Sequence, residues 1–230
     1  MVLSSFVLKI IAIISMVYDH AIKIIPRDFS IPFEFWIPGR IAFPIFAFLL
    51  VEGIEHTKSI SKYVLRIGLL AIVSEFIYDL TFHNTVLEFS GQNVLFELFL
   101  GLCVLWLYKF LKEKQKEEFI VFPLLFAIII SIVLRFDYGM GGVLCIFLFY
   151  LGRDKKGIKK YILYFFAILM TTLNITNATV ALLQIYSLFS LIPISLYNGK
   201  RGYKFNKYVF YAFYPAHLIV LYVIKLIIEL

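Results

Sequence analysis

Two histidines, an arginine and several carboxylates stand inside strongly apolar stretches of this sequence, where an ionisable group costs about 2.5–3.5 kcal/mol to insert into a membrane. They are Asp19, His20, Arg40, Glu52, Glu75, Asp79, Glu97 and His217, with Asp137 at the edge of a segment. Groups kept at that cost bind, react or carry protons. His20 is the leading proton carrier, because imidazole is the side chain that titrates near neutrality. Asp19 precedes it, but consecutive residues on a regular helix do not face each other. A direct Asp19–His20 bond therefore requires a frayed helix end; otherwise Glu75, Asp79 or Asp137 from another helix must orient the ring. The plain alternative is that Asp19 and His20 only end the first helix at the membrane interface.

Arg40 follows Gly39 at the start of the second segment, where its guanidinium can grip a carboxylate or oxyanion through two parallel hydrogen bonds, or pair with Asp19 or Asp79 to hold helices together. Glu52 lies about 18 Å further along that helix and cannot reach Arg40; Pro44, between them, is expected to kink it. Glu75, Asp79 and His83 recur every four residues on one face. They are too extended for one metal ion, so the face reads as a hydrogen-bonding surface and no metal is expected. His217 shares a face with Tyr214 beside Pro215, and is either a packed, hydrogen-bonded residue or a contact for a ligand arriving from the cytoplasm. Phosphate-cradling, serine-hydrolase and zincin motifs are absent.

These residues must be held by membrane helices. The sequence is 62% hydrophobic and 16% charged, against roughly 45–50% and about 25% in soluble domains. A single all-α domain over residues 1–230 is expected, a polytopic transmembrane bundle of about nine helices (eight to ten). The apolar runs place them at about 3–22, 40–55, 63–82, 93–111, 119–135, 140–152, 160–175, 178–197 and 208–228. The sixth is short and glycine-led, a candidate half-helix. Cys103 and Cys145 fall in apolar runs and read as packing residues. The first segment lacks a small-residue cleavage site and reads as a retained helix rather than a signal peptide.

Basic residues orient the bundle. Lys58, Lys62 and Arg66; Lys109, Lys112, Lys114 and Lys116; Arg153, Lys155, Lys156, Lys159 and Lys160; and Lys200, Arg201, Lys204 and Lys207 occupy alternate loops, sixteen of the 22 basic residues. Lys23, Arg27, Arg40, Arg135 and Lys225 fall to the other side. The positive-inside rule then puts the N-terminus in the cytoplasm and the C-terminus outside a cytoplasmic membrane. It also accounts for the net charge of +7 through helix orientation and contact with the lipid bilayer, without nucleic acid. On this topology Asp19, His20, Arg40, Glu75, Asp79 and Asp137 sit toward the outer ends of their helices and can converge on one polar cavity.

The chain resembles the TraX family of membrane proteins, named for a conjugation protein that acetylates the N-terminus of pilin. The resemblance rests on Met16-Val17-Tyr18-Asp19-His20 and on Gly39-Arg40-Ile41-Ala42-Phe43-Pro44-Ile45-Phe46-Ala47-Phe48. It continues through Glu52-Gly53, Arg66, Ser74-Glu75, Asp79, Gln92-Asn93-Val94, Asp137-Tyr138-Gly139, Asn198-Gly199-Lys200-Arg201-Gly202 and Tyr214-Pro215-Ala216-His217-Leu218. It implies an acyltransferase that takes an acetyl group from cytosolic acetyl-CoA, an acyl-CoA co-substrate, and delivers it outside to a peptide, pilin or envelope glycan. His20, with Asp19 and Arg40, would be catalytic, and Glu75, Asp79, Asp137 and Asn93 would bind the acceptor. Arg66, Lys200 and Arg201 would hold the CoA phosphates, with Glu52, Tyr214 and His217 also on the donor's path. The competing expectations are a proton- or cation-coupled transporter built on the same acidic and histidine cluster, or a structural factor for pilus or secretion assembly.

Overall fold

The computed structural model describes residues 2–25, 30–173, 175–204 and 206–228. Among them nine helical rods follow one another without a strand, in the order the apolar runs predict. The first is α1 (Ser5–Lys23). A 3-10 segment, Phe33–Ile41, runs directly into α2 (Ala42–His56), and α3 (Ile60–His83) and α4 (Val94–Glu113) follow. A 3-10 turn, Glu117–Ile120, leads α5 (Val121–Val133), then come α6 (Gly139–Arg153) and α7 (Ile158–Met170). The eighth rod is composite, with α8 (Ala178–Ile185), a 3-10 stretch Tyr186–Ser190 and α9 (Leu191–Ser195), and α10 (Lys207–Ile228) is last.

Local chemistry sets where the rods begin and end. The side-chain oxygens of Ser4, Ser59, Asn93 and Asn177 accept hydrogen bonds from the first turns of α1, α3, α4 and α8, satisfying amides that have no partner within the helix. Asn84, with φ at 58°, ends α3 in the left-handed conformation. Pro44, expected to kink its helix, falls in the first turn of α2. It is the third residue of that helix, where no intrahelical amide bond is lost, and the irregular backbone lies before it, in the 3-10 segment that contains Pro38.

The rods alternate in direction. Leu3 pairs with Tyr197 at one end of the bundle and Gln92 with Phe136 at the other. The end that gathers Leu3, Glu55, Lys109, Arg153 and Tyr197 also carries the lysine- and arginine-rich loops; it is called the basic end below.

Five rods are long and apolar enough to cross a membrane: Ser5–Lys23, Phe33–His56, Val94–Glu113, Ala178–Ser195 and Tyr208–Ile228. Helix α3 has the length but carries Lys62, Arg66, Glu75 and Asp79. The chain is a helical membrane protein, and its outward faces match: Phe122, Phe126, Ile129 and Val133 on α5 all point away from the core. The sixth rod is an unbroken helix of 15 residues, about 22 Å long. Any side chain on Gly141 would collide with the Met170 carbonyl, so glycine lets α6 and α7 approach closely, as small residues do between membrane helices. Cys103 and Cys145 are both free thiols. Arg27 lies outside the described residues.

Candidate functional site

Opposite the basic end, α1, the 3-10 segment, the start of α6 and the α7–α8 connection enclose a cavity with about 180 Å³ of room for water-sized molecules. Asp19, His20 and Lys23 reach it from the last turns of α1, Gly39 and Arg40 from the 3-10 segment, and Asp137 and Tyr138 from the residues before α6. Thr171 and Gln184 close the far wall, joined by a 3.0 Å bond from the Gln184 amide to the Thr171 hydroxyl.

The wall is built around Asp19. Its carboxylate pairs with the Arg40 guanidinium and, at 2.8 Å, with the Lys23 ammonium one helical turn away. Gly39 makes this possible, since a Cβ there would overlap the Asp19 carboxyl group. The Ser15 hydroxyl donates to the Pro38 carbonyl at 2.6 Å and pins the 3-10 segment to α1. Phe43 stacks on Tyr138 at 3.9 Å between ring centroids, tying α2 to the approach of α6. In this way the Gly39–Arg40 pair is delivered to Asp19 rather than to the membrane interface. Arg40 keeps one donor free: its Nε is buried and makes no hydrogen bond among the described residues.

Among the described residues, His20 does not meet Asp19 or any other carboxylate. Its Nδ1 lies 2.9 Å from Nε2 of His217, whose own Nδ1 is 3.1 Å from the Phe213 carbonyl oxygen. The sequence reading sought a carboxylate to orient His20 and placed His217 on the donor's path. The structure brings the two rings together, because α1 and α10 run side by side. Phe82 contacts the edge of the His20 ring, and Phe213 and Tyr214 flank His217.

Glu75 and Asp79 share a face, as their spacing requires, but neither lines the cavity. The Glu75 carboxylate accepts from the Asn93 backbone amide at 3.0 Å and from its side-chain amide. Asn93 in turn caps α4 by accepting from Leu95 N–H. Asp79 accepts from the Glu88 amide at 2.8 Å. These three bind α3 to α4 and to the loop between them. Among the described residues no three metal-ligating side chains converge.

The TraX protein family model matches residues 4–225. This chain belongs to that family. It is also similar to a probable fimbrial assembly protein, FimC of serogroup H1, from Dichelobacter nodosus, with 33% identity over 132 residues, 54% of each chain. The match thus spans about half the length of that relative. No solved structure matches the TraX-family chain.

The remaining expected positions of this TraX-family protein lie elsewhere. Glu52 is at the basic end, 3.8 Å from Arg153. Arg66 packs near the Tyr63 ring, and its buried Nε has no partner. Lys200 and Arg201 are exposed, and their carbonyls accept from Ser5 and Phe6 N–H. Tyr214 is buried beside the two histidines. The sequence reading missed Lys23, Tyr138, Thr171 and Gln184. Lys23 was legible from its four-residue spacing to Asp19; the other three carry no charge and give no such signal.

Proposed function

We propose that this protein is a membrane acetyltransferase that moves an acetyl group from cytosolic acetyl-CoA to an amine or hydroxyl presented outside the membrane. The observation that carries this reading is the cavity in which His20, the Asp19–Arg40–Lys23 group and Asp137 meet, at the end of the bundle opposite the basic loops. With those loops in the cytoplasm, the cavity opens to the outside. Family membership supports the chemistry, and the fimbrial relative supports an acceptor in the cell envelope, a pilin-like peptide or a glycan.

In the proposed step the acceptor nitrogen or oxygen attacks the thioester carbonyl carbon while His20 takes its proton. A carbon–nitrogen or carbon–oxygen bond forms, the carbon–sulfur bond breaks, and the proton passes to the departing thiolate. The free Arg40 Nε–H suits the oxyanion that develops on the carbonyl oxygen; a preset donor stabilises such charge without reorganising at the moment of reaction. Its other contact, Asp19, keeps the guanidinium in place. Asp137, exposed at the rim, suits an acceptor ammonium, which releases one proton to solvent there and goes on to react as the free amine.

Arg66, Lys200 and Arg201 at the basic end are the groups to hold the CoA phosphates. The acetyl-bearing arm must then pass Phe48, Phe149 and Tyr164, which fill the core between the two ends. Donor entry from that face therefore entails their displacement.

The test is acetyl transfer by the purified full chain in lipid nanodiscs, supplied with labelled acetyl-CoA and envelope peptides or glycans and read by mass spectrometry as addition of one acetyl group. His20→Ala is expected to lower the rate by about 10²–10⁴-fold, the range for a general base. Wild-type transfer by that variant would overturn the assignment.

A further inference from the structure

We infer that His217 is a positioning residue that locks His20 in the tautomer carrying its proton on Nδ1, so that the Nε2 lone pair is the one presented to the cavity. This rests on the reading of His20 as the base, but the hydrogen-bond logic does not. A carbonyl oxygen only accepts. The 3.1 Å contact of the His217 Nδ1 with the Phe213 carbonyl therefore requires a proton on that nitrogen. In a neutral imidazole the other nitrogen is then an acceptor, so His217 Nε2 offers a lone pair to His20 across 2.9 Å. His20 can fill that bond only by donating from Nδ1, which leaves its Nε2 unprotonated. The opposite arrangement would set the His217 Nδ1 lone pair against the Phe213 oxygen and lose one bond in a buried site.

The surroundings hold the pair in register. His217 is wedged between the Phe213 and Tyr214 rings at 5.5 and 5.3 Å, and Phe82 abuts His20 at 5.3 Å. The Nε2 atom of His20 has no hydrogen bond among the described residues, and His20 is one of the residues that line the cavity. When Nε2 takes a proton from the acceptor, His20 becomes an imidazolium whose Nδ1–H stays bonded to His217. The Nε2 proton then passes to the departing thiolate, which restores the starting tautomer. No proton is gained or lost over the cycle beyond the one moved from acceptor to sulfur.

The test is nitrogen-15 NMR of the full chain labelled at histidine in nanodiscs, with His217→Ala and His217→Gln as variants and kinetics alongside. The wild-type His20 signals are expected to show a protonated Nδ1 and a bare Nε2. In His217→Ala the Nδ1 partner is gone, the lock is lost, and kcat falls by about 100-fold with KM little changed. In His217→Gln the amide oxygen accepts from Nδ1–H, restoring the tautomer and most of the rate. A protonated Nε2 in the wild-type protein, or wild-type kcat in His217→Ala, would overturn the inference. So would failure of His217→Gln to restore both tautomer and rate. Should the wild-type chain transfer no acetyl group at all, the enzymatic reading falls, and the nitrogen signals still decide the tautomer lock.

Discussion

At the basic end, Glu55 meets Lys109 and Arg153, each at 3.0 Å, and Glu52 lies beside the same arginine, so charges of both signs answer each other across α2, α4 and α6. At the opposite end, Asp19 holds Arg40 with one oxygen and Lys23 with the other, but among the described residues Arg40 Nε makes no hydrogen bond and His20 keeps one nitrogen free. Beneath the basic cluster Phe48 packs against Phe149, Tyr164 and Tyr197 at 5.3–6.0 Å, whereas beneath Asp19 there is a cavity. Among the described residues each end holds an arginine whose buried Nε lacks a partner, Arg66 and Arg40, but only the second sets it beside a cavity and an unbonded histidine nitrogen. A protein gains no stability from buried polar atoms without partners, and in the acetyltransferase proposed above the Arg40 Nε would find its partner in the substrate.

The largest test of that contrast removes one carboxylate from each end. Asp19→Ala strips the largely buried Arg40 and the solvent-reaching Lys23 of their shared partner, and is expected to cost about 2–3 kcal/mol, below the loss for a fully buried pair. Glu55→Ala leaves Arg153 with Glu52 and Asp154 still nearby and partly in solvent, and should cost about 1 kcal/mol or less. Thermal unfolding in detergent reads both. Equal losses would mean that the two ends do the same structural work.

Arg40→Lys comes next, because it separates holding Asp19 from serving a reaction. A lysine can keep the ion pair but has no second, rigidly directed donor. Transfer is expected to fall by about 10²–10³-fold, the range for one lost oxyanion donor, with little change in unfolding temperature. A variant that unfolds early and retains its rate per folded molecule would reduce Arg40 to a strut.

Much of this was open to reading beforehand. The nine rods follow from apolar runs broken by charge, and the bundle's polarity from where lysine and arginine gather. Asp19, His20, Arg40 and Asp137 were expected at one end, because helix rise converts sequence position into depth. Depth, however, is not direction. The four-residue spacing of Glu75 and Asp79 fixes that they share a face, not that the face meets α4 and its loop. His20 and His217 are 197 positions apart, and nothing in hydropathy says that α1 neighbours α10. The role of Gly39 was equally hidden, since it depends on how closely Asp19 approaches from another rod.

Asn93 gives a smaller test, on a residue expected to bind the acceptor that lies instead in the α3–α4 joint. Asn93→Ala removes the cap of α4 and one of the donors to Glu75. The expected cost is about 1–2 kcal/mol, with the transfer rate per folded molecule nearly unchanged. A rate loss larger than the loss of folded protein would return Asn93 to the acceptor's binding site.

The smallest effect lies in the loop beside that joint. Exposed Glu88 accepts from the Phe89 and Ser90 amides at 2.9 and 3.0 Å, which holds its pKa below the ordinary carboxylate value. A lowered pKa means that the carboxylate's contribution is complete above the ordinary value and fades as pH falls through the lowered one. Since Glu88 N–H also donates to Asp79, the loop's order depends on carboxylates at both of its contacts. Hydrogen-exchange protection of Phe89 and Ser90 should therefore drop on acidification before the bundle unfolds. In Glu88→Gln, whose amide oxygen still accepts, the Glu88-dependent part of that drop should vanish. If Glu88→Gln and the wild-type chain lose protection in parallel, the acid-sensitive contact is the one made by Asp79, and Glu88 follows it.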